Sequence, residues 1–146
     1  MCVPRFAGKA REKGSTAVDN ARMILVMDDD AREWMTVDRL MAQLGWETQW
    51  APSVNAAMRC LEQQRFTGVL VNHFAEEASS ERLLNWLRER GREEAVIIMS
   101  HQADYDLMIN LVNQRAVDLI QAPVQLADLR RALDLALEAK AVSSGS

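Results

Sequence analysis

Met23-Ile-Leu-Val-Met-Asp-Asp-Asp30 is the stretch that decides the fold. Its first five residues form an unbroken apolar run, as a parallel strand covered on both faces requires. Three aspartates follow at once. From Ala31 to Leu44 the period becomes helical: Trp34, Val37, Met41 and Leu44 fall on one face, and Gly45 stands where a C-terminal cap belongs. An apolar strand, an acidic turn and an amphipathic helix make one β-α unit, and the rest of the chain repeats it.

Trp46-Glu-Thr-Gln-Trp50 alternates and reads as an edge-side strand, with Trp46 and Trp50 turned outward. Ser53 can cap the next helix, whose buried side carries Val54, Ala57 and Leu61. Gly68-Val-Leu-Val71 is a third strand, followed by a helix marked by Leu83, Leu84 and Leu87 that ends near Gly91. Val96-Ile-Ile-Met99 is a fourth strand and Leu107, Leu111 and Val112 define a fourth helix. Val117 to Gln121 is a fifth strand, and Leu126, Leu129, Leu133 and Leu137 line a last helix. Five β-α units in strict alternation predict an α/β fold: an open, doubly wound parallel sheet of five strands with five helices on its two faces. The common strand order for such a chain is 2-1-3-4-5, with the functional rim at the carboxyl ends of the strands. That order gathers Asp28, Asp29, Asp30, Asn72, Ser100 and Ala122 on one rim.

The ends read differently. Residues 1–22 lack an apolar period and are locally basic through Arg5, Lys9, Arg11, Lys13 and Arg22, so they read as a flexible tail. Residues 23–141 form the domain, and 142–146 read as a linker stub. The whole chain has 146 residues, 49% of them hydrophobic and 26% charged, with a net charge of −4. Those values suit one soluble domain and give no general attraction to nucleic acid or to an anionic membrane. No run approaches the ~20 apolar residues of a membrane span, and no signal peptide opens the chain. Cys2 and Cys60 are too few for a disulfide framework or a zinc site, so a reducing cytoplasm is the expected location.

At the rim, adjacent carboxylates repel, which is a cost a stability role alone does not explain. Asp28 and Asp29 have the chemistry to hold Mg²⁺, while Asp30, just before a helix, suits a cap. In order and spacing, the segment from Met23 to Lys140 resembles the receiver domains of bacterial response regulators, which have a flavodoxin-like fold. Ile24 to Asp30 is similar to that family's first strand and acidic pair. Asn72 stands at the position of the phosphoacceptor aspartate, and Ser100 at the Ser/Thr switch position. Ala122-Pro123 replaces the family's Lys-Pro pair, with Pro123 a candidate for a cis peptide bond. Ala116-Val-Asp118 resembles the stretch that precedes strand five.

The resemblance also shows what has changed. An asparagine amide is a poor nucleophile where a carboxylate would attack phosphorus. Alanine offers neither charge nor donor to a phosphoryl group. Leu119 stands where the family usually has a Tyr or Phe switch ring. Two carboxylates without the lysine carry the same formal charge as three with it, so the two losses balance. The implied function is a receiver-like signalling domain of a two-component or phosphorelay system, independent of phosphorylation and acting through protein contacts. It requires no cofactor, with at most weak Mg²⁺ binding, and it is not an enzyme. The partner is a protein or a second copy, met by the face made of Asp104 to Arg115, Val117 to Gln121 and Leu126 to Lys140; direct nucleic-acid or membrane binding is not implied. Two alternatives stand beside this reading. One is a conventional phosphate-accepting receiver with an unusual acceptor. The other is a small phosphatase similar to the haloacid dehalogenases, using Asp28 and Asp30. His73 and His101 each follow a strand end, close enough to approach the pocket, and read as solvated or hydrogen-bonded rim residues; Met35 is grouped with the core methionines. Arg82, Arg88, Arg90 and Arg92 with Glu81, Glu89, Glu93 and Glu94 read as a solvated face.

Overall fold

A computed structural model describes residues 22–72, 79–101 and 116–145. The elements are β1 (Met23–Met27), α1 (Ala31–Gln43), β2 (Glu47–Ala51), α2 (Val54–Gln63), β3 (Gly68–Asn72), α3 (Ser79–Glu89), β4 (Ala95–Ser100), β5 (Ala116–Gln121) and α4 (Leu126–Gly145). The five strands form one parallel sheet in the order β2-β1-β3-β4-β5. The helix expected around Leu107 to Val112 lies outside the described residues.

The period-2 geometry of the strands divides the core in two. Leu25, Met27, Val69, Val71, Val96 and Ile98 meet the apolar sides of α2 and α3. Their alternates Ile24, Val26, Leu70, Ile97, Met99 and Ile120 meet α1 and α4. Both faces are dry, which is why these strands read as continuous apolar runs rather than alternating ones. Asp30 caps α1 by accepting from Arg32 N at 2.9 Å, and Ser53 caps α2 by accepting from Ala56 N at 3.1 Å. After α1 the chain turns at Gly45, whose φ of +85° is open to glycine at little cost. Gly68 serves a different need: a Cβ there would stand 2.8 Å from Ala95 O on the neighbouring strand.

Several expectations need correction. Trp46 does not face outward; it precedes β2, is buried, and packs with the α1–α4 side of the core under the Arg22 guanidinium. Trp50 is half-buried and stacks on Trp34, ring centroids 5.3 Å apart. Met35 is not core filler but 51% exposed on α1. Arg92 and Glu94 are not a solvated pair. They meet at 2.6 Å, nearly buried; Arg92 also donates to the Leu61 and Gln64 carbonyls, and Glu94 accepts from Phe66 N. Finally, α4 continues to Gly145, so residues 142–145 are helical; no Pro or Gly interrupts them before Gly145.

Candidate functional site

Parallel strands paired in register end together. Met27 pairs with Val71, Asn72 with Met99, and Ser100 with Gln121, so the residues that close β1, β3, β4 and β5 share one rim. Within it, Asp28 is fully buried and Asn72 is 1% exposed. Asp28 Oδ1 accepts two hydrogen bonds, from Asp30 N at 2.9 Å and from Asn72 Nδ2 at 3.0 Å. The same Asn72 nitrogen donates to Glu33 Oε1 at 2.7 Å. The other oxygen of Glu33 accepts from His101 Nε2 at 2.8 Å, at the edge of the rim. A chain of side chains, Asp28–Asn72–Glu33–His101, thus joins β1, β3, α1 and the residue after β4.

The amide orientation of Asn72 follows from its neighbours. Its nitrogen faces both carboxyl groups and offers each of them one N–H, which the amide oxygen, carrying no proton, cannot do. Asp28 Oδ2 is buried without a hydrogen-bond partner among the described residues. Burial therefore pushes the Asp28 carboxyl up to about 7; the bonds from Asp30 and Asn72 act the other way, and the nearby Glu33 carboxylate adds to the rise. The backbone oxygen of Asp28 accepts from Trp50 Nε1 at 2.7 Å, which ties the Trp34–Trp50 stack to the site.

The remaining rim residues fall into place around this chain. Asp29 is exposed, and Asp30 uses its carboxylate on the α1 N-terminus. Those positions leave Asp28 and Asp30 on different tasks, unlike a phosphatase pair converging on one phosphorus. Ser100 is 5% exposed at the end of β4, and its carbonyl accepts from Ala122 N at 2.7 Å. Ala122 packs against the α1–α4 core, its peptide bond to Pro123 is cis, and Leu119 is half-buried against the α2–α3 core. His73 lies outside the described residues.

Glu33 is the functional residue that the sequence reading missed. Asp30-Ala-Arg-Glu33 has the spacing of a capping box, in which the glutamate bonds back to the cap's own N–H. Here that N–H, Asp30 N, goes to Asp28 Oδ1 instead, and Glu33 reaches across to Asn72. Its presence also changes the charge balance: with Asp29 exposed, the carboxyl groups at the amide are those of Asp28 and Glu33. Mg²⁺ takes oxygen ligands at about 2.1 Å in near-octahedral geometry. The space between Asp28 Oδ1 and Glu33 Oε1 instead holds an N–H donor, and the residues as arranged do not fit the ion. No group of three or more His, Cys, Asp or Glu side chains among the described residues is arranged to hold a metal.

A family model for the response regulator receiver domain matches residues 24–134. Among solved structures, a response regulator receiver domain protein from Clostridium thermocellum is similar with a TM-score of 0.75 at 24% identity, over 82% of this chain and 97% of that one. A response regulator from Thermotoga maritima gives 0.73 at 26% identity, over 81% and 98%. The beryllofluoride-activated NtrC4 receiver domain dimer gives 0.74 at 14% identity, over 80% and 97%. No curated protein matches the chain significantly.

Proposed function

The chain belongs to the response regulator receiver domain family, and from that membership we propose that it signals without phosphorylation, by binding a protein partner. The observation that carries this reading is the Asn72 amide, bonded to Asp28 and Glu33 at the family's acceptor position. An amide already committed to two carboxylates has no free nucleophilic oxygen to offer phosphorus on that side. Ala122 at the lysine position supplies no cation to a phosphoryl group. Leu119 supplies no switch ring. What survives is the scaffold and its surfaces.

The proposed partner face includes β5 and α4; residues 104–115, expected to complete it, lie outside the described residues. On its described part, exposed Arg131 reaches Asp118 of β5 at 2.9 Å and Asp128 of α4 at 3.1 Å, a polar seam suited to protein contact. One solved relative is described as a dimer, and a second copy of this chain is a candidate partner on the same ground. The reading is tested by intact mass after incubation with acetyl phosphate and Mg²⁺. The wild-type chain stays unmodified. A stable adduct of about 80 Da, removed by hydroxylamine as an acyl phosphate would be, overturns the proposal. Asn72→Asp alone stays poorly competent, because Ala122 still lacks the cation; Asn72→Asp with Ala122→Lys gains labelling.

A further inference from the structure

We infer that the Asn72 side-chain nitrogen stands in for a divalent cation, with Glu33 recruited from α1 as its second carboxylate, so that the rim is held together without metal. The inference rests on reading position 72 as a retired acceptor, and it adds what the retirement put in its place. The geometry carries it. A cation at this rim draws carboxylates from different elements toward one point. Asn72 Nδ2 does the same, 3.0 Å from Asp28 just after β1 and 2.7 Å from Glu33 on α1. Its two protons match the two acceptors one to one. Glu33 then extends the link to His101 beyond β4, 2.8 Å away.

The substitution is consistent in charge. A neutral donor compensates less negative charge than a divalent ion, so a pocket held by an amide must itself be less anionic. Asp29 is exposed and adds its charge to solvent rather than to the pocket, which leaves Asp28 and Glu33 as the two carboxyl groups the amide joins. Binding Mg²⁺ between these carboxyl groups would require breaking both hydrogen bonds of the amide and moving its nitrogen out of the space between them. Each step opposes the ion.

The test is calorimetric titration of the whole chain with MgCl₂ and with MnCl₂, read in parallel by tryptophan emission. The emission is informative because Trp50 bonds the Asp28 backbone oxygen and stacks on Trp34. The wild-type chain gives no saturable signal with either ion up to about 20 mM, a range well above that of a functional Mg²⁺ site. Asn72→Asp converts the donor to a carboxylate and gains one-site binding. Adding Glu33→Gln to that variant weakens the new site by tenfold or more. Saturable binding by the wild-type chain overturns the inference. So does an Asn72→Asp variant with no gain, and a gained site indifferent to Glu33→Gln removes Glu33 from it. A measurement free of variants guards against misfolding: the Asn72 side-chain amide protons in the wild-type NMR spectrum are slow to exchange and do not shift with MgCl₂. Rapid exchange, or a saturating shift, defeats the inference as well. Metal binding without a phosphoryl adduct would sink this inference and leave the proposed function standing, so the two failures are distinct.

Discussion

At the residue scale the unusual group is Asp28. Its carboxyl lies at about 7 in the folded chain against 3.8 in the unfolded one, burial being the chief cause. The folded state therefore holds the proton more tightly than the unfolded state does. The stabilisation is fully present below about pH 4 and is lost as pH rises through about 7, beyond which it stays flat. The gap corresponds to about 4 kcal/mol between those limits. Asp28→Asn keeps an oxygen for Asp30 N and Asn72 Nδ2 and removes the ionisation. Urea unfolding from pH 4 to 8 is expected to show wild type losing stability relative to this variant, which becomes the more stable chain at pH 8. Parallel curves would mean that Asp28 does not titrate in this range. Asp28 and Asn72 were legible in the sequence because apolar strands end in them. Glu33 was not, because its spacing from Asp30 also satisfies a local capping pattern, and only the fold diverts Asp30 N to Asp28. His101 was visible as a rim residue, but its partner lies 68 residues away in sequence and no local signal names it.

At the element scale, strands and helices were read where hydrophobic period alone sets them, as in β1, β3, β4 and the leucine face of α4. The reading failed where polar groups meet across elements. Thr48, 1% exposed on β2, accepts from Trp34 Nε1 at 3.1 Å and donates to Asp38 Oδ1 at 2.7 Å, which locks β2 to α1. Arg92 and Glu94 join the α2–β3 connection to the start of β4, with the guanidinium serving two carbonyls that no helix partner reaches. In sequence both sites look like ordinary surface polarity, since burial by a distant segment leaves no local trace. Their energetic ranks should differ. Thr48→Val preserves shape and strands two polar groups, which costs about 1–3 kcal/mol. Arg92→Ala leaves Glu94 charged, 2% exposed and without its cation, which costs about 3–5 kcal/mol. Chemical denaturation of the two variants orders them; a smaller loss for Arg92→Ala would show that Glu94 finds water or another donor when its partner goes.

At the scale of the molecule, topology does what no single residue can. The crossover from β1 to β2 at one edge and to β3 on the other side brings Asp28 and Asn72, 44 residues apart, within one hydrogen bond. A ligand moves a two-state equilibrium only by its differential affinity for the two states. On the proposed reading, a rim already closed by its own amide gives a phosphoryl mimic no such affinity. Beryllofluoride with Mg²⁺ should therefore leave the chain's sedimentation behaviour unchanged at every protein concentration. If copies associate through the face of β5 and α4, the dimer fraction follows mass action alone. Charge reversal at Arg131, which bridges Asp118 and Asp128 there, should then shift that fraction equally with and without the mimic. A dimer that forms only when beryllofluoride is added would show that the rim still drives the surface, and that the scaffold has kept its switch despite losing the residues that usually throw it.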